Sequence, residues 1–190
     1  MNGPVGHGVS RTDGAAKAAG SARYVDDLSQ PGMLHGRTVR ATIPCGDITR
    51  VRLDFDATGF TIVDAGDIPG RNLVSLILDD QPCLADRTVR HVAEPVLLLA
   101  HPDRERLLGA AVDIEYRPRT PVFDAERSPQ VFKTLSIARG DIDEGFRRAD
   151  LVIEGEYRTG HQEHLYIEPN GMLAVPEHGG VTVYGSLQCP

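Results

Sequence analysis

The sequence predicts an α+β fold in which strands outnumber helices. Three observations carry this. The 190 residues include 20 Gly and 13 Pro, enough turn formers to divide the chain into short elements. Hydrophobic residues make up 41% while aromatics are 5% and Trp is absent, so the core is built mainly from Val, Leu, Ile and Ala. Apolar runs of strand length recur along the chain, and helical signatures are confined to two short stretches.

Residues 1 to about 30, rich in Gly, Ala and Asp, read as a mostly extended lead-in with a turn at Asp13-Gly14. Met33 to Ile43 is strand-like. Ile48, Val51, Leu53 and Phe55 lie on a segment whose second half alternates strictly, the mark of a half-buried strand. Phe60 to Val63 is a short strand closed by the turn Asp67-Ile68-Pro69-Gly70. Leu73 to Leu78 and Val96 to Ala100 are continuous apolar runs, as expected of strands covered on both faces.

The clearest helix is Pro102 to Val112, with Pro in its first turn and Asp103 and Glu105 at the positive end of its dipole. Leu107, Leu108, Ala111 and Val112 give it an apolar face. Ile114 to Tyr116 returns as a strand, and the prolines between 118 and 138 predict a loop and a domain boundary. A second unit opens at Asp141, where Glu144 three residues on makes a capping-box signature, with Phe146 and Ala149 on the inner face. Strands are expected at 151–159, 163–175 and 181–187, the last two joined through Gly179-Gly180.

The last thirty residues hold the densest polar cluster. Read as a strand, His161 to Glu168 places Gln162, His164, Tyr166 and Glu168 on one face and His161, Glu163, Leu165 and Ile167 on the other. Such a polar face is costly to bury unless its members hydrogen-bond one another or a ligand. It is either the wall of a polar site or a structural network. His161 and His164 point to opposite faces of that strand, so they cannot share one metal ion.

Net charge is −7 with no Lys/Arg stripe, which sets nucleic acid aside as a partner. No leader and no membrane-spanning run is evident, so a cytoplasmic protein is expected. Cys45, Cys83 and Cys189 are odd in number and widely spaced, which fits neither a disulfide framework nor a metal or iron–sulfur site. No dinucleotide fingerprint, Walker loop or nucleophile elbow is present.

Six pieces carry a resemblance: SRTDGAAKAAGSARYVDDL at 10–28, PGMLHGRTVRATIPCGDI at 31–48, DIPG at 67–70, VRHVAEPVLLLA at 89–100, GDIDEGFRRADLVIEGEYRTGHQEHLYIEPNGMLAVPE at 140–177 and SLQCP at 186–190. In their order and spacing the chain resembles the N-terminal part of the molybdenum-binding subunit of the xanthine dehydrogenase/aldehyde oxidase family. The resemblance implies a lead-in over 1–16, an α/β hammerhead domain over 17–125 and an incomplete start of a molybdopterin-binding domain over 126–190. It implies a molybdenum hydroxylase that acts on a heteroaromatic carbon or an aldehyde with water as oxygen source. Its cofactor would be molybdopterin with molybdenum, with iron–sulfur clusters and FAD on partner domains or subunits.

Gln188 matches the Gln of the family's S-x-Q motif, which lies beside the metal's oxo or sulfido ligands. Gln162, Glu163, His164, Tyr166 and Glu168 match a segment close behind that site, in support. The family's Gly-Gly-Phe-Gly loop and its glutamate base are absent, so no catalytic set is complete here and the 190 residues alone are expected to be inactive. The remaining molybdopterin-binding region is then the first partner. Ala93 stands where the family commonly has Gly. The rival expectation is a non-catalytic assembly module derived from that subunit.

Overall fold

The computed structural model describes residues 5–75, 78–160, 162–163, 165 and 170–186. Along the chain come α1 (Gly14–Ala18), β1 (His35–Arg40), β2 (Gly46–Leu53), β3 (Thr61–Val63), β4 (Thr88–Val89) and β5 (Pro95–His101). They are followed by α2 (Arg104–Gly109), β6 (Val112–Pro118), α3 (Ile142–Arg148), β7 (Met172–Glu177) and β8 (Gly180–Gly185). Short 3₁₀ turns stand at Val25–Asp27, Ala65–Asp67 and Ala125–Arg127. Packing divides the chain into two units, Gly32–Arg139 and the paired segments Met1–Pro31 and Gly140–Pro190.

Unit Gly32–Arg139 holds two three-stranded antiparallel sheets, ordered β1-β5-β3 and β4-β2-β6. β5 is paired on both sides, with Val39 opposite Leu97 and Ile62 opposite Leu99. Its apolar run suits that central place. Val96 packs with Ala41, Ala85 and Val89, while Leu97 and Leu99 pack with Leu107 and Ala110. Leu98 is the exception and stays half-exposed. Each fully buried Leu or Val here contributes about 1.5–3 kcal/mol.

α2 follows β5 directly. The Asp103 carboxylate accepts from the Glu105 and Arg106 backbone N–H groups at 2.9 and 3.1 Å and caps the helix. The Arg37 guanidinium closes the other end by donating to the Leu108 and Ala110 carbonyls. The helix is shorter than the expected 102–112, because the chain leaves helical backbone at Ala110 and Val112 joins the ladder opposite Leu53. Leu107 is buried, but Leu108 is half-exposed and Ala111 exposed, so the apolar face is narrower than expected.

Among its described residues, the run Leu73 to Leu78 does not form the expected buried strand. The Asn72 amide binds both backbone groups of Leu84, at 2.7 and 3.0 Å, and Val74 makes a single bridge to Gln81. That closes a loop, buries Leu84 and leaves Val74 and Leu78 exposed. Leu76 and Ile77 lie outside the described residues. The expected loop after β6 is present, interrupted only by the 3₁₀ turn at Ala125–Arg127 among the described residues.

In the other unit, the lead-in is not wholly extended. Ala15, Ala16 and Ala18 favour helix, and Lys17 pairs with Asp13 at 2.7 Å one turn away, so α1 forms. α3 is capped as expected, the Glu144 N–H donating to the Asp141 carboxylate at 3.0 Å. Phe146 is nonetheless exposed rather than inward. Residues 151–160 form no strand, since no described strand pairs with them. The hairpin is as expected: β7 pairs with β8 from Met172↔Gly185 to Glu177↔Gly180, and Gly179 supplies the positive φ of +82° the tight turn needs.

Candidate functional site

Gln162 and Glu163 are the candidate residues that fall within the described backbone; both are exposed and belong to no strand. Nearby Leu165 has φ +50°, a left-handed backbone that breaks two-fold alternation. Of the polar face expected of a strand over 161–168, Gln162 is the described member. His164, Tyr166, Glu168 and Gln188 lie outside the described residues, as do His161 and Cys189.

The structure does describe the approach to Gln188. The hairpin brings the chain back so that the Ser186 N–H donates to the Gly171 carbonyl at 3.3 Å, one bond beyond the ladder. Gly171 rests against Val25: a Cβ there would meet Val25 Cγ1 at 3.3 Å and Cβ at 3.7 Å. Residues 13–28 thus wall a groove of about 740 Å³ that reaches Tyr184 and Ser186.

The groove's charges are largely paired. Asp13 binds Arg11 and Lys17, and these partners hold its carboxyl far below the usual range. The 3₁₀ turn at Val25–Asp27 is pinned from both ends. The Tyr24 N–H donates to the Asp27 carboxylate at 2.9 Å, and the Arg23 guanidinium to the Asp27 carbonyl at 2.9 Å. Sequence reading missed Val25 and Gly171. Both lie inside the quoted pieces at 10–28 and 140–177, and only the tertiary contact brings Val25 against Gly171.

Unit Gly32–Arg139 contributes framework. Buried Glu94 accepts from the Arg90 N–H at 2.5 Å, beside Ala93 at φ +63°. The Arg40 guanidinium donates to the Ala93 carbonyl at 2.9 Å. Buried His101 stacks on Phe60 at 4.4 Å, and its Nδ1 accepts from the Asp103 N–H at 2.9 Å. Asp47 bridges Arg117 and Arg119 on β6 and its end; partial burial opposes ionisation, but these guanidiniums outweigh it and hold the carboxyl low. Cys45 and Cys83 are free thiols.

Among the described residues no three His, Cys, Asp or Glu side chains converge as metal ligands. Their two buried polar atoms without a partner, Arg37 Nε and Tyr116 Oη, belong to β1 and β6 of the framework unit. The described residues alone are therefore not a donor set for a metal–pterin group.

Two family models match the chain in succession. One, described as aldehyde oxidase and xanthine dehydrogenase, a/b hammerhead domain, covers residues 19–120. The other, molybdopterin cofactor-binding domain, covers residues 123–190. A probable xanthine dehydrogenase subunit of Bacillus subtilis (strain 168) is 31% identical over 94% of this chain and 26% of its own length. The nicotinate dehydrogenase large molybdopterin subunit of Eubacterium barkeri is 30% identical over 98% of this chain and 48% of its own. The chain thus spans between a quarter and a half of the length of these two relatives. Quinoline 2-oxidoreductase from Pseudomonas putida 86 shares the fold over 99% of this chain and 27% of its own, with TM-score 0.82 at 21% identity.

Proposed function

Because the chain belongs to the aldehyde oxidase and xanthine dehydrogenase family, we propose that it works as part of a molybdenum hydroxylase. It contributes a lead-in over 1–16, the α/β hammerhead domain over 17–125 and the opening of a molybdopterin-binding domain over 126–190. The observation that carries this reading is the unbroken succession of the two family models, 19–120 then 123–190.

When bound, molybdopterin with molybdenum supplies the redox centre for hydroxylating a heteroaromatic carbon, xanthine-like, or for oxidising an aldehyde, with water as oxygen source. Iron–sulfur clusters and FAD, on partner domains or subunits, would be the electron acceptors such a centre requires. No step through these groups follows from the described residues, which lack a metal donor set. This chain's own contribution is framework and one amide. Gln188 would hold the metal's ligands as a neutral hydrogen-bond donor that does not compete as a ligand. Gln162, Glu163, His164, Tyr166 and Glu168 support it from behind. Gln162 and Glu163 are exposed here, so that support requires the remaining molybdopterin-binding region to cover them. No helix among the described residues is long and apolar enough to cross a membrane. The setting we propose is the cytoplasm.

The test is to express the chain alone and together with the remaining molybdopterin-binding region, and to measure molybdenum by mass spectrometry alongside xanthine and aldehyde oxidation. Metal and turnover are expected only in the completed protein. Gln188→Ala is expected to lower kcat by roughly 10²-fold, the scale for removing one preorganised donor. Stoichiometric metal with oxidation on the chain alone, or a completed protein without metal, overturns the reading. The second outcome is what a non-catalytic assembly module gives.

A further inference from the structure

We propose that a cleft in the framework unit receives residues 133–139 of a second copy of this chain, and that the exchange is reciprocal. The cleft measures about 510 Å³ and is lined from both three-stranded sheets. It marks a gap in the core: its wall takes Val96 from one buried cluster and Leu97 from the other. Val51 and Leu53, two apart on β2 and so on one face, line it yet stay 40 and 37% exposed. Its charged lining is acidic, from Asp64 and Asp86, with no described Lys or Arg. Asp64 is fixed by accepting from the Gly66 N–H at 2.7 Å, and no described cation pairs with it. Asp86 has only Arg87, at 3.8 Å and with both side chains mostly exposed. The fitting occupant is therefore an apolar body with positive ends.

The chain itself carries such a segment. Residues 133–139 belong to no helix or strand, and all of them are exposed. In extended backbone Lys133, Leu135, Ile137 and Arg139 share one face, two apolar side chains between two cations. Among the described residues no carboxylate pairs with Lys133 or Arg139. Within one chain the two features stay apart. β6 ends opposite Gly46, so it delivers the segment at the end of β2 away from Val51 and Leu53. Segment and cleft are then both left open to solvent. A second copy offers each what it lacks, and exchange in both directions closes as a two-fold dimer.

Sedimentation of the 190-residue chain tests this without any cofactor, so the result does not depend on the functional reading above. The unmodified chain is expected to dimerise as its concentration rises. A cleft variant, Asp64→Asn with Asp86→Lys, and a segment variant, Lys133→Glu with Arg139→Glu, are each expected to stay monomeric. Asn at 64 still accepts from the Gly66 N–H, so the turn is kept. Mixed in equal amounts, the two variants are expected to pair. The unchanged segment of one then meets the unchanged cleft of the other, and the two reversed charge sets also match. Leu135→Ser with Ile137→Ser, at exposed positions, is expected to raise the dimer Kd at least about tenfold. An unmodified chain that stays monomeric overturns the proposal, and is what its own segment folding back or a foreign partner would give. Variants that dimerise alone, a mixture that fails to pair, or a serine variant with unchanged Kd each overturn it as well.

Discussion

The two units spend similar side chains to opposite effect. In Gly32–Arg139, Leu99 and Val89 are 0% exposed and Leu107 2%. In the other unit, Leu151 is 76%, Ile153 83% and Tyr157 92% exposed. Apolarity is the same; the supply of partner strands is not. β5 has a strand on each side and a helix after it, whereas β7 and β8 have only each other among the described residues. A lone two-stranded hairpin is marginal in water, while three strands with a covered face are not. The contrast teaches that the two sheets of the first unit close a core of their own, whereas the second unit, like the tail of the first with Phe123 83% and Ile137 98% exposed, offers surface for something else to cover.

The sharpest way to break this comparison is a matched pair of truncations. Leu99→Ala is expected to cost about 3 kcal/mol in urea unfolding of the framework unit. Ile153→Ala is expected to stay within about 0.5 kcal/mol, as for an exposed site. Equal losses would show that residues 151–159 are packed in solution and that the contrast is false.

A smaller effect sharpens the framework side. Ala93 adopts φ +63°, where a side chain crowds its own carbonyl. Ala93→Gly is expected to stabilise the framework unit by about 1 kcal/mol, offset in part by glycine's greater freedom when unfolded. Thermal melting checks this, and a lower midpoint would refute it.

The smallest effects concern the helix caps. Asp103 and Asp141 cap α2 and α3 in the same way. Only α2 carries a buried residue, Leu107, into the core. Asp103→Ala is therefore expected to lower the framework's melting midpoint, and Asp141→Ala to leave the framework's midpoint unchanged. The Arg106 backbone N–H, then that of Glu105, holds the Asp103 carboxyl below its usual range. A lowered folded-state pKa gives stability that is full above the unfolded value near 4 and is lost as pH falls through the folded value. The difference between wild type and Asp103→Ala should thus shrink on acidification below about pH 4. A difference that persists undiminished in acid would mean the cap does not act through its charge.

Much of this was legible in the sequence for reasons that are local. β2, β5, β6, the Asp103 and Asp141 caps and the Gly179 turn follow from alternation, apolar runs, cap chemistry and glycine's tolerance of positive φ. The resemblance carried by SLQCP and its companions points to the family without any fold. The failures share one cause. Leu151 to Thr159 and the described ends of Leu73 to Leu78 have strand-like composition, but a strand exists only where another offers its backbone groups.

By itself, then, the sequence determined which segments prefer helix, strand or turn, and which family the chain resembles, because those preferences reside in single residues and short spacings. Only the tertiary structure decided which apolar runs are buried, that residues 13–28 wall the groove at Ser186, and that Val25 backs Gly171. Those outcomes depend on ladder partners and close contacts between residues more than a hundred positions apart, and no local pattern encodes such a pairing.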